Sequence, residues 1–364
     1  MNPSLPFLMA GGGSGGHVIP ALAVARELRR RGHRPFFVGT ARGLESKLVP
    51  AEDFPIEWIE IGGLKGVGRT RRLRTLCQLP PALLACRRII NARRPRAVFS
   101  MGGYVAGPVM LAAWTKRIPV VVMEPNAMPG FTSRRMARLV TRALLSFEEA
   151  APYFPAGRTL VTGLPVRDEF FALPAKPRAG ALSVLVTGGS QGSRTLNLAS
   201  RQSWPLFRDA AFPIRLLHQT GPAMFAELEA EFARCGPKGR LEGKITPFIQ
   251  DMPAAFAQAD VVVSRAGAGA VAELAAAGKP SILVPFPFAT DDHQLRNAQA
   301  FERAGAGRLV LDREASGERL FQEITRLASE PGLLEKMGTA ARRQAHPGAA
   351  ARAADILEEV AGKD

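Results

Sequence analysis

Cysteine is scarce in this sequence. The 364 residues include only Cys77, Cys86 and Cys235, and no two of them form a CxxC pair. This excludes a disulfide scaffold and a zinc ribbon, and it predicts a reducing compartment. A chain of this length buries enough apolar surface to fold without cross-links. With 46% hydrophobic and 22% charged residues, the composition is that of a globular protein, and the length favours about two domains.

A long apolar segment is also lacking. The charge-free stretch from Ala97 to Thr115 is interrupted by Gly102, Gly103, Gly107 and Pro108. Such interruptions are unusual in a membrane-spanning helix, so the stretch predicts a strand, a turn and a buried helix instead. The amino terminus has neither a basic n-region nor a long apolar h-region, which predicts that there is no signal peptide. We therefore expect a soluble or peripheral, cytoplasmic protein.

Acidic residues are outnumbered by basic ones. The chain has 48 Lys and Arg against 32 Asp and Glu, which gives a formal net charge of +16. A surplus of this size attracts polyanions, so it favours nucleic acid, an anionic membrane surface or a phosphorylated substrate as a partner.

Short apolar runs alternate with helical patterns, which is typical of a parallel sheet with crossover helices. An amphipathic helix is predicted over Ile19–Arg31 and an Ala-rich one over Gly348–Glu359. The predicted strands are Pro6–Ala10, Arg34–Val38, Ala97–Ser100, Val120–Met123 and Leu160–Thr162, and then Ser183–Thr187, Ile214–His218, Ile245–Phe248, Asp260–Ser264 and Ser281–Pro285. The Pro- and Gly-rich stretch Pro165–Ala181 suits a hinge. The sequence therefore predicts two similar α/β domains in tandem.

Three glycine-rich turns follow predicted strands, at residues 11–16, 102–103 and 188–192. Glycines adopt positive φ and let the backbone approach a ligand closely, and the first N–H groups of a following helix attract an anion. Open parallel sheets bind ligands at the carboxyl ends of their strands. The three turns together favour a phosphate-binding site, and a merely tight strand–helix turn is the alternative at each position.

The first of these turns contains the spacing GxGxxG. However, the second predicted strand ends in Val38-Gly39-Thr40, without the acidic residue that would hold a ribose, and this disfavours a NAD site. His17 follows the turn and is a candidate general base, because its unperturbed pKa lies near neutral. A helix cap or a structural histidine is the alternative.

Two further segments carry polar residues after predicted strands. Glu273 lies about one turn into a helix that follows the small-residue segment Arg265–Val271. It is a candidate for holding a ribose diol, and a first-turn acid favoured by the helix dipole is the alternative. The segment Asp291–Gln294 has the composition of a metal site, but adjacent ligand types do not easily aim at one ion. We therefore favour a polar sugar-binding loop there.

The segment Lys65–Arg96 contains ten basic residues and no acidic one. Leucine and isoleucine side chains lie between them from Leu73 to Ile90. This favours a surface helix that lies on an anionic membrane, with Trp114 as a further contact. A nucleic-acid patch is the second interpretation, although no RNP, KH or zinc-finger signature accompanies it. The third is a solvated helix face packed on its own domain.

A series of short segments carries a wider resemblance. They are residues 12–18, 20–25, 101–108, 124–126, 165–167, 188–193, 248–252, 264–273, 293–294 and 297–298. In this order, and over nearly the whole chain, they resemble the MurG family of bacterial N-acetylglucosaminyltransferases, which convert lipid I to lipid II in peptidoglycan synthesis. One glycine turn is weak support for this, whereas the ordered set is specific.

The resemblance implies the GT-B fold. This is an α/β fold of two Rossmann-like, doubly wound parallel-sheet domains that face a cleft, with the carboxyl-terminal helix returning to the first domain. Residues 1–164, joined by 345–364, would form the acceptor and membrane-facing domain. Residues 165–344 would form the domain that binds the donor, UDP-GlcNAc.

The resemblance also implies a set of donor-site residues. Ile249 would read uracil through its backbone, Glu273 would hold the ribose hydroxyls, and Gln294 would hold the GlcNAc hydroxyls. Ser190 and the turn Ala268–Val271 would hold the diphosphate. The full set is Arg167, Ser190, Phe248, Ile249, Ala268, Gly269, Ala270, Val271, Ala272, Glu273 and Gln294.

In the first domain, the resemblance implies two groups of residues. The acceptor would meet His17, Tyr104 and Glu124, with His17 as the preferred base and Glu124 as the other candidate. The sugar would be contacted from this side by Ser14, Gly15, Gly16 and Asn126.

The implied reaction moves GlcNAc from UDP-GlcNAc to the muramyl C4 hydroxyl of undecaprenyl-linked lipid I and inverts the anomeric carbon. Backbone N–H groups can stabilise the diphosphate and no DxD motif is present, so we expect neither a metal nor a cofactor. The resemblance also implies a peripheral position on the cytoplasmic face of the cell membrane, a part in cell wall biogenesis, cell shape and cell division, and other cell-wall synthesis proteins as candidate partners.

Two alternatives come from different classes of protein. One is another GT-B enzyme, such as a glycolipid glycosyltransferase or a UDP-GlcNAc 2-epimerase. The other is a basic nucleic-acid-binding protein, which the net charge favours but which gives no reason for the glycine turns. The MurG-like interpretation includes no nucleic-acid partner.

Overall fold

The computed structural model describes residues 4–62, 69–174, 176, 180–235 and 239–362. By its internal contacts the chain divides into two compact units. Unit 1 comprises Met1–Pro165 and Gly348–Asp364, and unit 2 comprises Val166–Pro347. The observed divisions therefore fall after residues 165 and 347, close to the predicted positions 164 and 344.

Unit 1 is built on a parallel sheet. Its strands are β1 (Pro6–Ala10), β2 (Arg34–Gly39), β3 (Ile56–Trp58), β4 (Ala97–Ser100), β5 (Val120–Glu124), β6 (Arg142–Leu145) and β7 (Thr159–Val161). They are ordered β3-β2-β1-β4-β5-β6-β7, with parallel neighbours throughout. The α-helices are α1 (Gly15–Arg30), α2 (Glu45–Leu48), α3 (Arg69–Arg93), α4 (Gly103–Thr115), α5 (Phe131–Met136) and, at the carboxyl terminus, α13 (Ala349–Ala361).

Unit 2 repeats this plan. Its strands are β8 (Leu182–Thr187), β9 (Ile214–Gln219), β10 (Leu241–Thr246), β11 (Val261–Ser264), β12 (Ser281–Leu283) and β13 (Gly307–Leu309). They are ordered β10-β9-β8-β11-β12-β13 and are also parallel. The α-helices are α6 (Arg194–Arg208), α7 (Phe225–Cys235), α8 (Met252–Gln258), α9 (Ala268–Ala277), α10 (His293–Arg303), α11 (Gly317–Ser329) and α12 (Leu333–Arg343).

Short 3-10 helices occur in the loops of both units. They are Pro50–Glu52, Ala137–Leu139, Glu148–Tyr153, Asp168–Phe170, Pro222–Met224, Thr290–Asp292 and Asp312–Glu314.

In each sheet the strand order reverses at one point. The chain runs outward from β1 to β3 and then returns to β4 on the other side of β1; in unit 2 it runs outward from β8 to β10 and returns to β11. Such a switch point leaves a crevice at the carboxyl ends of the two central strands, and ligands bind there in open α/β sheets. The glycine turns of both units follow these central strands.

The sheets are buried on both faces, as parallel sheets are in α/β proteins. Every residue of β5 is buried, and Phe7 and Phe99 are fully buried in neighbouring strands. In unit 2, Trp204 and Phe207 of α6 pack with the buried valines of β8 and β11. Apolar burial at about 25 cal/mol per Å² is the main source of stability for such layers. Among the described residues, no helix combines the length and apolar character needed to cross a bilayer.

The first helix starts earlier than predicted. It begins at Gly15 rather than Ile19. The carbonyl of Ser14 already accepts hydrogen bonds from the N–H groups of His17 and Val18, so the first turn forms within the glycine-rich segment. A glycine run lowers helix propensity, and tertiary context overrides it here.

The strand predictions differ from the structure at a few places. The strand predicted over Ile245–Phe248 is instead Leu241–Thr246, because Pro247 has no N–H to donate to a neighbouring strand. Three observed strands were not predicted, and their short length leaves too few residues for a periodic pattern. They are Ile56–Trp58, Arg142–Leu145 and Gly307–Leu309.

From Arg69 to Arg93 the basic segment forms a single helix, α3, and its described leucine and isoleucine side chains pack mainly on unit 1. Ala82, Cys86 and Ile90 are buried, and Leu79, Leu83 and Ile89 pack against the core. Among the described leucine and isoleucine side chains of α3, only Leu84 is exposed, with 57% of its surface accessible. Lys65 and the side chains of residues 69–74 and 76, including Leu73 and Leu76, lie outside the described residues. The predicted apolar stripe is therefore mainly a packing face.

The carboxyl-terminal helix α13 returns to unit 1, as predicted. Arg31 donates hydrogen bonds to Asp355 Oδ1 at 2.7 Å, to Glu358 Oε2 at 2.9 Å and to the Ala351 carbonyl at 3.1 Å. His33 Nε2 lies 2.8 Å from Glu358 Oε1. One partly buried arginine thus joins the last helix to the end of α1.

We expect Arg31→Ala to lower the free energy of unfolding by about 1–2 kcal/mol, because charged hydrogen bonds to α13 are lost from a partly exposed site. Arg30→Ala is the matched control, since the Arg30 side chain is 72% exposed and pairs with Glu27 on its own helix. Urea denaturation followed by circular dichroism measures both. A loss in Arg31→Ala no larger than that in the control would contradict the role of Arg31.

Candidate active site

The glycine turn of unit 1 connects β1 to α1 at the switch point of the sheet. Gly13 has a φ of +91°, and a Cβ there would lie 2.9 Å from the Tyr104 ring; only glycine meets both conditions. Its N–H donates to Glu45 Oε2 at 2.7 Å. Gly15 and Gly16 form the start of α1, so their N–H groups lie at the positive end of the helix dipole.

His17 lies in the first turn of α1 and is partly buried. Its Nδ1 is 3.2 Å from the Gly12 carbonyl. Because a carbonyl oxygen only accepts, Nδ1 carries the proton of this hydrogen bond, and Nε2 is the unprotonated nitrogen of the neutral ring. A Cβ on Gly103 would lie 3.3 Å from Nδ1. The turns after β1 and β4 therefore converge on a histidine in the tautomer that a general base requires.

Tyr104 belongs to a chain of hydroxyl contacts beside this turn. Its hydroxyl lies 3.2 Å from Thr40 Oγ1, and Thr40 Oγ1 donates to Glu45 Oε1 at 2.9 Å. Because the Thr40 proton is used on Glu45, the Tyr104 hydroxyl is the donor to Thr40. This chain connects the residues after β2 to the start of α4.

Glu124 ends β5 and is buried. Its carboxylate accepts hydrogen bonds from the Asn126 backbone at 3.2 Å, from the Asn126 carboxamide at 3.3 Å and from Gly130 N–H at 3.3 Å, and from the Ser133 side chain. Burial raises the pKa of Glu124 to about 7, and these hydrogen bonds oppose that rise. The carboxylate thus shapes the loop that carries Asn126.

Unit 2 contains a pocket of about 250 Å³ at the carboxyl ends of β8 and β11. On one side it is lined by the glycine turn that follows β8, where Gly192 has a φ of +75° and a Cβ would collide with the Thr220 carbonyl. Ser190 is exposed in this turn. The lining residues are Thr187, Gly188, Gly189, Met252, Phe256, Ser264, Arg265, Gly267, Ala270 and Glu273.

Glu273 and Arg167 interact electrostatically beside this pocket. Burial raises the pKa of Glu273 to about 7, and the Arg167 charge opposes that rise. The Arg167 guanidinium lies 5.1 Å from the centre of the Phe170 ring, and Phe170 packs edge-on against Phe256, which lines the pocket, at 5.1 Å. The structure therefore brings these two predicted residues close enough to interact, beside an aromatic pair that reaches the pocket.

Gln219, which the sequence analysis did not identify, connects three loops of unit 2. Its Oε1 accepts from Ile249 N–H at 2.8 Å, and its Nε2 donates to Thr187 Oγ1 at 3.1 Å and to the Gly189 carbonyl at 2.8 Å. The amide is buried, and it holds the segment with Ile249 against the glycine turn. The neighbouring Phe248 side chain is 53% exposed.

The first turn of α9 forms a second backbone surface at the pocket. The helix begins at Ala268 after Gly267, and Val271 is the first residue whose N–H bonds back, to the Gly267 carbonyl. The N–H groups of Ala268, Gly269 and Ala270 therefore have no intrahelical acceptor. Their small side chains leave these N–H groups open to a ligand. N–H groups at this position of a helix are the ones that bind anions. Ala272 follows in the same helix.

Gln294 lies near the start of α10. Its Oε1 accepts from Phe286 N–H at 2.9 Å, which leaves its NH₂ group as the donor for a ligand. Asp291 and Asp292 before it adopt left-handed backbone conformations, with φ of 56° and 52°. Over the described parts of the chain, no group of three His, Cys, Asp or Glu residues could hold a metal ion.

The predicted site residues are divided between the two units. In unit 1 they are Ser14, Gly15, Gly16, His17, Tyr104, Glu124 and Asn126, and in unit 2 they are Arg167, Ser190, Phe248, Ile249, residues 268–273 and Gln294. Glu45, Thr40 and Gln219 were not predicted. Glu45 binds the Gly13 N–H, and Gln219 binds backbone atoms of Gly189 and Ile249. The Thr40 hydroxyl contacts the side chains of Glu45 and Tyr104. The sequence signal that could have indicated Glu45 is the pair Gly39 and Gly43, which lie outside the predicted turns and where a Cβ would meet the Glu45 side chain.

Two protein-family models match the chain. The glycosyltransferase family 28 N-terminal domain matches residues 7–145, and the glycosyltransferase family 28 C-terminal domain matches residues 183–359. A protein of Solibacter usitatus (strain Ellin6076) is 64% identical over 98% of this chain and 96% of its own length. One of Anaeromyxobacter sp. (strain K) is 43% identical over 97% of this chain and 92% of its own length. Both are named UDP-N-acetylglucosamine–N-acetylmuramyl-(pentapeptide) pyrophosphoryl-undecaprenol N-acetylglucosamine transferase.

Solved structures agree with these relatives. Acinetobacter baumannii MurG has a TM-score of 0.84 and 32% identity, covering 98% of this chain and 100% of that one. A UDP-GlcNAc 2-epimerase from Neisseria meningitidis, at a TM-score of 0.66 and 14% identity over 98% of this chain and 100% of that one, shares the fold alone. The two parallel α/β units therefore confirm the predicted GT-B fold class. The chain belongs to the MurG family within glycosyltransferase family 28.

Proposed function

We propose that this chain is an inverting glycosyltransferase that moves GlcNAc from UDP-GlcNAc to the muramyl C4 hydroxyl of lipid I, giving lipid II and UDP. The observation that carries the proposal is the 64% identity, over 98% of the chain, with a protein named for that transfer. The sites of the two units supply groups that suit the two substrates, as argued below. The alternatives of an epimerase and of a nucleic-acid-binding protein are not favoured.

The nucleoside of the donor would bind at the pocket of unit 2. Because Gln219 engages the N–H of Ile249, the Ile249 carbonyl is the group that can accept from N3–H of uracil. Phe248 and Arg167 would lie beside the base. The Glu273 carboxylate would accept hydrogen bonds from the two ribose hydroxyls, and charge-assisted bonds of this kind are the strong ones.

The diphosphate and the sugar would bind next to the nucleoside. The N–H groups at the start of α9 and the turn around Ser190 supply donors for the phosphate oxygens, and backbone amides at a helix start favour such an anion. The NH₂ group of Gln294 would donate to GlcNAc hydroxyls. These donors would also stabilise the negative charge that grows on the UDP oxygen as the sugar leaves.

The acceptor would bind in unit 1, where His17 acts as the base. Nε2 takes the proton of the muramyl C4 hydroxyl while the hydroxyl oxygen forms a bond to the anomeric carbon of GlcNAc. The bond from that carbon to the UDP oxygen breaks at the same time, and attack from the opposite face inverts the configuration. Glu124, enclosed by donors from residues 126–133, would position Asn126 in this scheme rather than take the proton.

The test is UDP release with a short-chain lipid I analogue, with and without EDTA. We expect UDP only when UDP-GlcNAc and the acceptor are both present, and an equal rate with EDTA. Consumption of UDP-GlcNAc without an acceptor would favour the epimerase instead. No UDP release with both substrates would contradict the proposed transfer.

We also propose that unit 1 attaches peripherally to the cytoplasmic face of the cell membrane, where lipid I is anchored by its undecaprenyl chain. In support, Leu84 of α3 and Trp114 of α4 are 57% and 54% exposed, and Arg87 and Arg88 are exposed beside Leu84. Basic residues around exposed apolar side chains suit an anionic surface. Roles in cell shape and division, and contacts with other cell-wall synthesis proteins, would follow from this position.

We expect Glu273→Ala to weaken UDP-GlcNAc binding by about 10- to 100-fold, because two charged hydrogen bonds to the ribose are lost. Isothermal titration measures the dissociation constant. Glu323→Gln is the matched control, since Glu323 is a buried carboxylate of unit 2 that binds Arg308 and Arg319. An unchanged dissociation constant in Glu273→Ala would remove Glu273 from the ribose site.

The raised pKa of Glu273 also predicts a pH dependence. The ionised form accepts the ribose hydroxyls, so UDP-GlcNAc affinity should fall as the pH drops below about 7 and the carboxylate becomes protonated. The steepest fall in affinity that one titrating group can cause is about tenfold per pH unit. Glu273→Gln should bind weakly with no such slope. A wild-type affinity that stays constant between pH 8 and 6, as judged by titration at roughly half-unit steps, would refute this assignment.

We expect His17→Ala to lower kcat by about 10²- to 10⁴-fold, the usual contribution of a general base, with donor affinity unchanged. His17→Gln keeps a hydrogen-bonding side chain but has no titratable nitrogen, so it should lose as much. Steady-state kinetics with the lipid I analogue give kcat. Full kcat in either variant means that another group takes the proton.

We expect the double charge reversal Arg87→Glu with Arg88→Glu to reduce binding to vesicles containing phosphatidylglycerol by more than about tenfold, at about 1 kcal/mol per basic residue near the surface. Arg313→Glu in unit 2 is the control, since Arg313 is 81% exposed. Vesicle sedimentation at low and high salt measures the effect. Wild-type binding that depends on neither anionic lipid nor salt would argue against this surface.

A further inference from the structure

Glu45, the first residue of α2, places a buried carboxylate directly behind the glycine turn of unit 1. Its side chain has no exposed surface. Oε2 accepts from Gly13 N–H at 2.7 Å. Oε1 accepts from the Thr40 N–H at 3.0 Å and from the Thr40 hydroxyl at 2.9 Å. Three donors from two loops thus converge on one carboxylate.

Three glycines make the space for this carboxylate. A Cβ on Gly43 would collide with Oε2, one on Gly12 would lie 2.6 Å from Oε1, and one on Gly39 would lie 2.7 Å from Cγ. None of the three has a positive φ. Glycine is therefore required at these positions for room rather than for backbone conformation.

The contacts of Glu45 lead to His17 in two steps. Glu45 fixes the N–H of Gly13, and the preceding residue, Gly12, presents the carbonyl that accepts from His17 Nδ1 at 3.2 Å. A shift of the turn would therefore move both the His17 partner and the backbone around it. Three donors face this side chain, so both of its terminal atoms must accept hydrogen bonds, as the two oxygens of a carboxylate do. A glutamine carboxamide would place its NH₂ group against a backbone N–H, and two donors do not form a hydrogen bond.

We propose that Glu45 is a positioning residue for the acceptor side of the reaction, which holds the glycine turn of unit 1 and, through the Gly12 carbonyl, the orientation of His17. The inference rests on the proposed function, because it assumes that His17 takes the acceptor proton. Glu45 itself touches no substrate. Donor binding, which belongs to residues of unit 2, is independent of it.

Two variants disturb the same contacts by different means. Glu45→Gln removes the charge and one acceptor. Gly43→Ala keeps the carboxylate but puts a methyl group where Oε2 lies, at a position without a left-handed backbone. Glu358→Gln is the matched control in unit 1, since Glu358 of α13 is an acid whose carboxylate contacts Arg31 and His33.

We expect Glu45→Gln and Gly43→Ala each to lower kcat/KM for the lipid I analogue by about 10- to 100-fold, the scale of a small displacement of a catalytic group. The dissociation constant for UDP-GlcNAc should stay within about twofold of the wild-type value. The control should leave both quantities unchanged. This result separates a positioning role from unfolding of the whole chain, which would lower kcat/KM and weaken UDP-GlcNAc binding together.

A double-mutant cycle with His17→Ala tests the route of the effect. If Glu45 acts through His17, the loss in the double variant should be smaller than the product of the two single losses. The proposal would be overturned if the loss of kcat/KM in the double variant equalled the product of the two single losses. It would also be overturned by wild-type kcat/KM in both Glu45→Gln and Gly43→Ala, or by an equal loss of UDP-GlcNAc affinity in these variants. A wild-type enzyme that releases no UDP would instead contradict the proposed function, and the two failures are therefore distinguishable.

Discussion

The rest of this structure depends on keeping backbone N–H groups in place where a central parallel strand ends and a helix begins. Glycine lets the backbone approach a neighbouring group closely, but a glycine turn by itself can adopt many backbone conformations. In each unit a buried polar side chain from another loop holds it: Glu45 binds Gly13 in unit 1, and Gln219 binds Gly189 in unit 2. The same physical problem is thus solved twice, by a carboxylate and by a carboxamide.

The choice between these two groups follows from what each must bind. Glu45 receives only donors, so both of its oxygens accept. Gln219 faces a donor, Ile249 N–H, and an acceptor, the Gly189 carbonyl, so it needs one oxygen and one NH₂ group. Glu273 differs from both, because its carboxylate faces the pocket with the Arg167 charge nearby. Burial of this carboxylate at the pocket raises its pKa.

The sequence was sufficient to predict the two parallel α/β units, most central strands and the glycine turns, because these depend on local patterns and on motif order. It did not reveal Glu45 or Gln219, whose partners lie 32 and 30 residues away in the chain. Such contacts depend on tertiary register rather than on periodicity. Pattern alone cannot separate a lipid-facing surface from a packing face, so for the apolar stripe of α3 both interpretations stay open in the sequence. The structure buries Ile90 of this stripe in the core.

The most direct measurement is a crystal structure of the chain with UDP-GlcNAc bound. We expect uracil at the Ile249 carbonyl, the ribose diol on Glu273, and the diphosphate against the amides at the start of α9. It also predicts that the Gln219 hydrogen bonds to Ile249 and Gly189 persist. A nucleotide bound elsewhere on the chain, or bound in this pocket with its phosphates away from those amides, would contradict the central claim.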